Sequence, residues 1–160
     1  MFTLTQNMKR KKKLDLERYT PALLTFIANK LSAGASQLYR EQFDVGIVEW
    51  RVLSMLAVES NIPAQRICQV VGLDKSAVSK SVQFLQSGGY VQSQVDPEDA
   101  RRYTLSLTTA GHALHDRVFD VAQERERRLL ETLSPEEIES LLSMLNRIHK
   151  QIDYVNAYRP

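Results

Sequence analysis

The sequence has few cysteines and lacks long apolar runs. Its 160 residues include one cysteine, Cys68, and six glycines. A single cysteine cannot form a disulfide within the chain or supply a multi-cysteine zinc cluster, so a reducing compartment suits the protein. No stretch approaches the roughly 18 consecutive apolar residues of a membrane span, and the basic residues near the start precede no apolar signal core. We therefore expect a cytoplasmic protein.

The charges almost cancel. The 21 Lys and Arg residues exceed the 19 Asp and Glu residues by a formal charge of +2, too small an excess to indicate nucleic-acid binding by itself. Lys9 to Lys13 form a local basic run. Such a run can follow a phosphate backbone, but it is more often a solvated tail, and we expect residues 1–19 to be a flexible basic tail. The remaining composition, 43% hydrophobic, is that of one globular unit.

The ordered part begins with two predicted helices. Thr20 and Pro21 predict a helix start, because a hydroxyl can accept an unpaired N–H and proline needs no donor in the first turn. Apolar residues then recur on one face to about Gln42. A second helix is predicted from near Val45 to about Glu59, with its apolar residues turned inward.

Two short helices joined by a tight turn follow. The pattern predicts a helix over residues 63–71, and Gly72 stands where a left-handed residue would end it. Asp74 is a cap for the next helix, from Lys75 to about Gln86, whose apolar residues share one face. This arrangement is a helix-turn-helix.

The pattern then changes to that of strands. Residues 90–95 and 103–108 predict two strands, the second with strict alternation of apolar and polar residues. Asp96 and Pro97 suit the first two positions of a type I turn. The sequence therefore predicts a hairpin, or wing, directly after the helix-turn-helix.

Two further helices are predicted after the hairpin. Thr108 is a cap for a helix to about Thr132, in which Gly111 weakens the first turn unless a close neighbour needs the space. A capping box at Ser134, Pro135 and Glu137 opens the last helix. The predicted fold class is mainly α with a small β-hairpin (α+β), a winged helix-turn-helix with six helices.

The last helix carries a narrow apolar seam. Its residues are separated by three or four positions: Ile138, Leu141, Leu145, Ile148, Ile152 and Val155. This spacing is typical of a coiled-coil contact, although packing within one chain would also use it. We favour a contact that involves a second chain.

The polar face of the helix after Asp74 is a candidate DNA-reading surface. It carries Lys75, Ser76, Ser79, Lys80 and Gln83. A helix fits the major groove of B-DNA, where glutamine can pair with adenine, lysine with guanine, and serine with bases or phosphates. Every surface helix has a solvated side, however, so this face alone does not decide the function.

The hairpin tip adds a second candidate. A guanidinium from Arg101 or Arg102 would enter a narrow minor groove favourably, since negative potential concentrates there. Asp99 is placed to orient Arg101 through a charge-assisted hydrogen bond. The same residues also fit an ordinary surface ion pair.

Two motifs resemble the multiple antibiotic resistance regulator (MarR) family. The run Gly-Leu-Asp-Lys-Ser-Ala-Val-Ser-Lys at 72–80, followed by Leu85 and Gly89-Tyr90-Val91, is similar to that family's recognition-helix region. Asp-Ala-Arg-Arg-Tyr-Thr-Leu at 99–105, continuing to Leu107-Thr108 and Gly111, is similar to its wing signature. With Leu-Ser-Pro-Glu-Glu at 133–137, the resemblance covers roughly residues 20–155.

The resemblance implies a homodimeric transcriptional regulator of duplex DNA. Residues 20–44 and 109–160 would be dimerisation helices, the latter through the seam, and residues 45–108 the winged DNA-binding lobe. Arg101 would be the minor-groove arginine and Asp99 its orienting acid. The implied regulator is a repressor on a near-palindromic operator, released by a small aromatic or phenolic effector. Candidate walls for that effector are Phe26, Tyr39 and Trp50, although such aromatics more often pack in a core.

Cys68 and the histidines are weaker candidates for functional residues. Some relatives sense oxidants through a cysteine near the first helix, where this chain has none, and we expect Cys68 to be a buried, unreactive thiol. Other relatives bind zinc through histidines. His112, His115, Asp116 and the distant His149 make at most a partial site, since zinc usually needs three well-placed protein ligands. We expect no metal and no cofactor.

Two other classes of function remain open. An enzyme is disfavoured because no nucleophile elbow, phosphate-binding glycine loop, His-Glu-x-x-His pair or dinucleotide fingerprint is present. A winged-helix domain that binds protein would have the same fold. It would leave Arg101 and the Ser76 to Gln83 face without a nucleic-acid role.

Overall fold

The computed structural model describes residues 13–95, 99 and 102–160. In these ranges the chain forms a two-stranded antiparallel sheet and seven helices. They are α1 (Thr20–Phe43), α2 (Ile47–Val58), α3 (Ala64–Val71), α4 (Lys75–Ser87), β1 (Val91–Val95), β2 (Tyr103–Leu107), α5 (Thr109–Leu129), α6 (Pro135–His149) and α7 (Ile152–Ala157). The predicted winged helix-turn-helix is confirmed. The predicted turn at Asp96 and Pro97, and Lys9 to Lys12 of the basic run, lie outside the described residues.

The last predicted helix is divided into α6 and the short α7. Lys150 and Gln151 form a turn between them, in which the Gln151 N–H donates to the Ile148 carbonyl at 2.9 Å. This is the tighter hydrogen bond of a 3₁₀ turn. The seam residues therefore lie on two consecutive helices.

Side-chain caps begin three helices where the sequence predicts them. Asp74 accepts a hydrogen bond from the Ala77 N–H at 2.9 Å, Thr108 from the Gly111 N–H at 3.0 Å, and Ser134 from the Glu137 N–H at 3.3 Å. The predicted cap at Thr20 is wrong. Thr20 is already helical, and Tyr19 occupies the cap position without a side-chain hydrogen bond.

The core lies in the winged lobe and is centred on α2. Leu53, Leu56 and Val52 are almost fully buried, and α2 packs against α1, α3, α4, α5 and β2. Apolar residues of the surrounding elements complete the cluster, among them Ile67, Val78, Leu85, Leu105 and Val118. Because one cluster joins these elements, α4 and the hairpin are held in a fixed relation.

The wing is attached to the rest of the lobe through Ile62 and through the start of α5. Val91 pairs with Leu107 inside the hairpin, and the Leu105 N–H donates outside it to the Ile62 carbonyl at 2.8 Å. Gly111 lets α5 begin directly against the hairpin, since a Cβ at this position would collide with the Tyr90 carbonyl oxygen. The close neighbour that could explain this glycine is therefore Tyr90.

The outer helices keep their apolar residues exposed in the single chain. Of the seam residues, Ile138 and Leu141 are half-buried, whereas Leu145, Ile148, Ile152 and Val155 are 37 to 59% exposed. Within the described part of the chain, neither α6 nor α7 belongs to a closely packed pair of elements. The seam thus has no extensive cover from its own chain. No helix of the described residues has both the length and the hydropathy needed to cross a membrane.

Candidate nucleic-acid interface

The two faces of α4 differ in character. Val78 and Leu85 are fully buried and Val82 nearly so. All five predicted recognition residues are exposed, namely Lys75, Ser76, Ser79, Lys80 and Gln83. They offer ammonium and hydroxyl donors and one amide that both donates and accepts, which are the groups that read base edges and phosphates.

A bidentate ion pair joins α3 to the end of α2. Arg66 donates from Nε to Glu59 Oε2 at 2.9 Å and from NH2 to Glu59 Oε1 at 2.8 Å. These hydrogen bonds lower the pKa of Glu59 and raise the pKa of Arg66. Both side chains are exposed, so the pair sets local geometry more than it adds stability.

The wing tip is described at Asp99 and Arg102. Arg102 Nε lies 3.2 Å from Asp99 Oδ2, and the Arg102 N–H donates to the Asp99 carbonyl at 2.8 Å. Asp99, which the sequence predicts to orient Arg101, therefore contacts Arg102. Arg101 itself lies outside the described residues, so its orientation by Asp99 stays a prediction. The Arg102 side chain is 73% exposed, which leaves it accessible to phosphate.

Sequence reasoning missed a polar contact beneath α4. The Ser81 hydroxyl donates to Glu49 Oε1 on α2 at 2.6 Å, and Glu49 Oε2 accepts the Gly46 N–H at 2.8 Å. One signal was available: Ser81 interrupts the apolar face of α4. A second was the glutamate three residues after the helix-capping Gly46, which is the spacing of a capping box.

An aromatic cavity lies between α1, α2 and α5. Its volume is about 480 Å³, and its lining includes Tyr39, Trp50 and Phe119. Tyr39 and Trp50 meet edge to face, with ring centroids 6.0 Å apart. Of the three predicted effector walls, the structure brings Tyr39 and Trp50 together at this cavity. Phe26 is not part of the lining and is 45% exposed on α1.

Two arginines also line this aromatic cavity. Arg51 NH2 donates to Ser32 Oγ at 3.0 Å, and Arg125 NH2 donates to the Leu31 carbonyl at 3.2 Å. Burial raises the pKa of Tyr39 despite the opposing effect of Arg125, so its phenol stays neutral at physiological pH. The cavity therefore combines aromatic walls with the guanidinium groups of Arg51 and Arg125 and the carboxylate of Glu126. The two guanidinium groups suit an anionic group on a ligand.

The structure also shows the surroundings of Cys68, His112 and His115. Cys68 is only half-buried and lines a second cavity, between α3, α4 and the hairpin, so its predicted burial is incomplete. The His115 ring is stacked between Trp50 and Phe119, and its Nδ1 lies 2.9 Å from Asp116 Oδ1. His112 is exposed. Among the described residues, no three His, Cys, Asp or Glu side chains are grouped as metal ligands would be.

A helix-turn-helix with a polar second helix, followed at once by a charged hairpin, places the chain in the winged-helix class. A profile described as "MarR family" matches residues 43–102, which span α2, the helix-turn-helix and β1. The chain belongs to the MarR family of transcriptional regulators.

Three relatives illustrate the match. A MarR/EmrR family transcriptional regulator from Acinetobacter sp. ADP1 is 34% identical, with a TM-score of 0.82 over 88% of this chain and 99% of that one. The S. aureus MepR–DNA complex is 24% identical, with a TM-score of 0.73 over 85% of this chain and 98% of that one. The multiple antibiotic resistance protein MarR of Escherichia coli K12 is 23% identical over 69% of this chain and 77% of its own length.

Proposed function

We propose that the protein is a homodimeric repressor that binds a near-palindromic operator and leaves it when a small aromatic effector binds. The observation that carries this proposal is the exposed polar face of α4, set by a rigid core beside a charged wing. Regulators of this family bind DNA, and the MepR relative was solved on DNA. A cytoplasmic location belongs to the same proposal, since a regulator must reach DNA.

The contacts divide between two grooves. α4 lies in the major groove, where Gln83 and Lys80 reach base edges and Lys75, Ser76 and Ser79 reach bases or phosphates. The wing lies over the adjacent minor groove with Arg101, while Arg102 and Asp99 flank it. Each good bidentate base contact contributes about 1 to 3 kcal/mol of discrimination.

Dimerisation supplies a second copy of α4 and the wing. The seam residues of α6 and α7 are exposed in the single chain, as are Leu23 and Ile27 on α1. Apolar residues exposed together on one helix face mark an interface, and a two-fold dimer is the commonest way to bury them. Residues 20–44 and 109–160 then form the dimerisation region, residues 45–108 the DNA-binding lobe, and residues 1–19 a basic tail.

The effector proposal rests on the aromatic cavity. Tyr39 and Trp50 provide rings for stacking, and Arg51 and Arg125 provide positive charge. This set favours an aromatic ligand with a carboxylate or a phenolate. Because α1, α2 and α5 all line the cavity, a ligand there can shift the outer helices against the DNA-binding lobe.

Transcription in vitro tests the whole proposal. Duplexes bound by the protein are first selected from random sequence, and one is placed over a promoter. Transcript should fall as protein is added and return when benzoate-type aromatic carboxylates are supplied at millimolar concentration. Cyclohexanecarboxylate, which has the charge without the aromatic ring, is the control. A rise in transcript on adding protein would contradict repression, and equal effects of both carboxylates would contradict aromatic recognition.

A further inference from the structure

Ser81 is a buried polar residue on the otherwise apolar inner face of α4. It is 4% exposed and lies among Val78, Val82 and Leu85. Its hydroxyl reaches across to α2 and donates to Glu49 Oε1 at 2.6 Å. A hydrogen bond from a hydroxyl to a carboxylate at this distance is of the short, charge-assisted kind.

Glu49 is held from the other side as well. Its second oxygen accepts the Gly46 N–H at 2.8 Å, which fixes the carboxylate to the first turn of α2. The next residue of that turn, Ile47, donates its N–H to Ser36 Oγ on α1 at 3.4 Å. The carboxylate is therefore anchored to the corner between α1 and α2 independently of α4.

Close packing keeps α4 in the lobe, but apolar contacts are non-directional and define its rotation less sharply than a hydrogen bond does. A small roll of α4 about its axis can keep Val78, Val82 and Leu85 in the core while it moves the exposed residues. A roll of about 20° moves a side-chain tip, about 5 to 6 Å from the helix axis, by about 2 Å. That displacement exceeds what a hydrogen bond to a base edge tolerates.

We infer that Glu49 is a positioning residue for DNA recognition: through Ser81 it sets the rotation of α4 and hence the sequence specificity of the protein. The inference rests on the proposed function, in which Lys80 and Gln83 read bases. Phosphate contacts by long, flexible side chains survive a small roll, whereas contacts to base edges do not. Loss of the Glu49–Ser81 hydrogen bond therefore lowers specific binding and leaves non-specific binding in place.

Two substitutions of similar size test this role. Ser81→Cys keeps nearly the same volume but is a weak donor, and Glu49→Met removes the acceptor at nearly the same side-chain length. The measurement is the ratio of dissociation constants for a scrambled duplex and a selected operator of equal length, at one salt concentration. Each variant should lower this ratio about tenfold, with the affinity for the scrambled duplex changed less than twofold. Ser54→Cys is the matched control, because the Ser54 hydroxyl donates to the Arg51 carbonyl of its own helix rather than to another element, and its ratio should not change.

The variant with both substitutions distinguishes a positioning role of Glu49 from a general loss of affinity for DNA. If Glu49 acts through Ser81, the double variant should lose no more specificity than either single variant, since both remove one interaction. Additive losses, an unchanged ratio, or equal weakening on both duplexes would each overturn the inference. Urea unfolding confirms that the proteins compared are folded. If Glu49→Met does not fold, the ratio measured for Ser81→Cys decides the result. If the unaltered protein does not distinguish the two duplexes, the proposed function fails first and the inference falls with it.

Discussion

At the scale of single residues, the proposed recognition depends on side chains that are exposed in the single chain. Gln83 is exposed on α4, and its amide can both donate to and accept from one adenine. Gln83→Ala should therefore relax discrimination at one base-pair position in each half-site by about 1 to 3 kcal/mol. The check is binding to operators substituted one pair at a time. Gln37→Ala on α1 serves as control, and equal weakening on every sequence would argue that Gln83 contacts phosphate.

The neighbouring wing residues Arg101 and Arg102 should differ in how much they contribute to DNA binding. Arg101→Ala should weaken operator binding about 10- to 100-fold, since a minor-groove guanidinium is lost. Arg102→Ala removes a side chain that is 73% exposed and paired with Asp99, and it should cost much less, because exposed ion pairs contribute about 0 to 1 kcal/mol. Anisotropy titrations of folded dimers compare the two. Equal losses would remove the special role of Arg101.

Ser81 and Glu49 also show what residue-level reading of a sequence leaves out. Capping residues such as Asp74 and Ser134 act on their own helix, within three residues, so their partners can be read from the sequence. The partners Ser81 and Glu49 are 32 positions apart, and only the packing of α2 on α4 brings them together. Phe26 is absent from the lining of the aromatic cavity, and its position on α1 could not reveal in advance which elements would lie against it.

At the scale of elements, two glycines in helices should respond oppositely to alanine. Gly111→Ala forces a methyl group against the Tyr90 carbonyl and should destabilise the protein by about 1 to 3 kcal/mol. Gly34→Ala places its methyl group 3.7 Å from Arg125 NH2, an ordinary contact, and should stabilise α1 by about 0.5 to 1 kcal/mol. Urea unfolding of both variants measures the difference. Stabilisation by Gly111→Ala would show that the junction of the hairpin and α5 is more adaptable than described, and destabilisation by Gly34→Ala would contradict the open space assigned to that position.

The last turns of α5 carry an acid-sensitive ion-pair cluster. Hydrogen bonds from Arg127 and Arg128 lower the pKa of Glu124 from 4.5 to about 2. A carboxyl whose pKa is depressed by folding stabilises the folded state above its unfolded pKa, and this contribution disappears as pH falls through the folded value. Stability should therefore decline between about pH 4.5 and pH 2, and Glu124→Gln should decline less. An NMR titration midpoint of Glu124 near 4.5 would contradict the assignment.

The elements themselves were largely predictable because local signals agree with one another. Gly72 ends α3 with a left-handed backbone, φ 70°, and the alternation of residues 103–108 matches β2. The break between α6 and α7 was not predictable, because the apolar seam continues across Lys150 and Gln151 without interruption. The spacing of hydrophobic residues shows which face of a helix is apolar. It does not show a single turn in which the backbone tightens from α-helical to 3₁₀ geometry.

At the scale of the whole molecule, the proposal assigns the exposed outer helices to a contact with a second chain. Leu145 is 37% exposed on a helix without close packing among the described residues. Leu145→Asp would place a charge in the proposed interface and should convert the dimer to monomer or unfold it. Ser143→Asp, on the opposite side of α6, is the matched control and should remain dimeric. Sedimentation equilibrium distinguishes them, and a folded Leu145→Asp dimer would exclude the seam as the interface.

The account depends most on two copies of α4 and the wing reading DNA together. The direct measurement is selection of duplexes from a random library by the purified protein, followed by the stoichiometry of the selected complex. Two inverted half-sites with centres about 10 to 10.5 base pairs apart, bound by one dimer, are the predicted result. A monomer, or a bound pool with no enriched sequence even at low salt, would contradict the account.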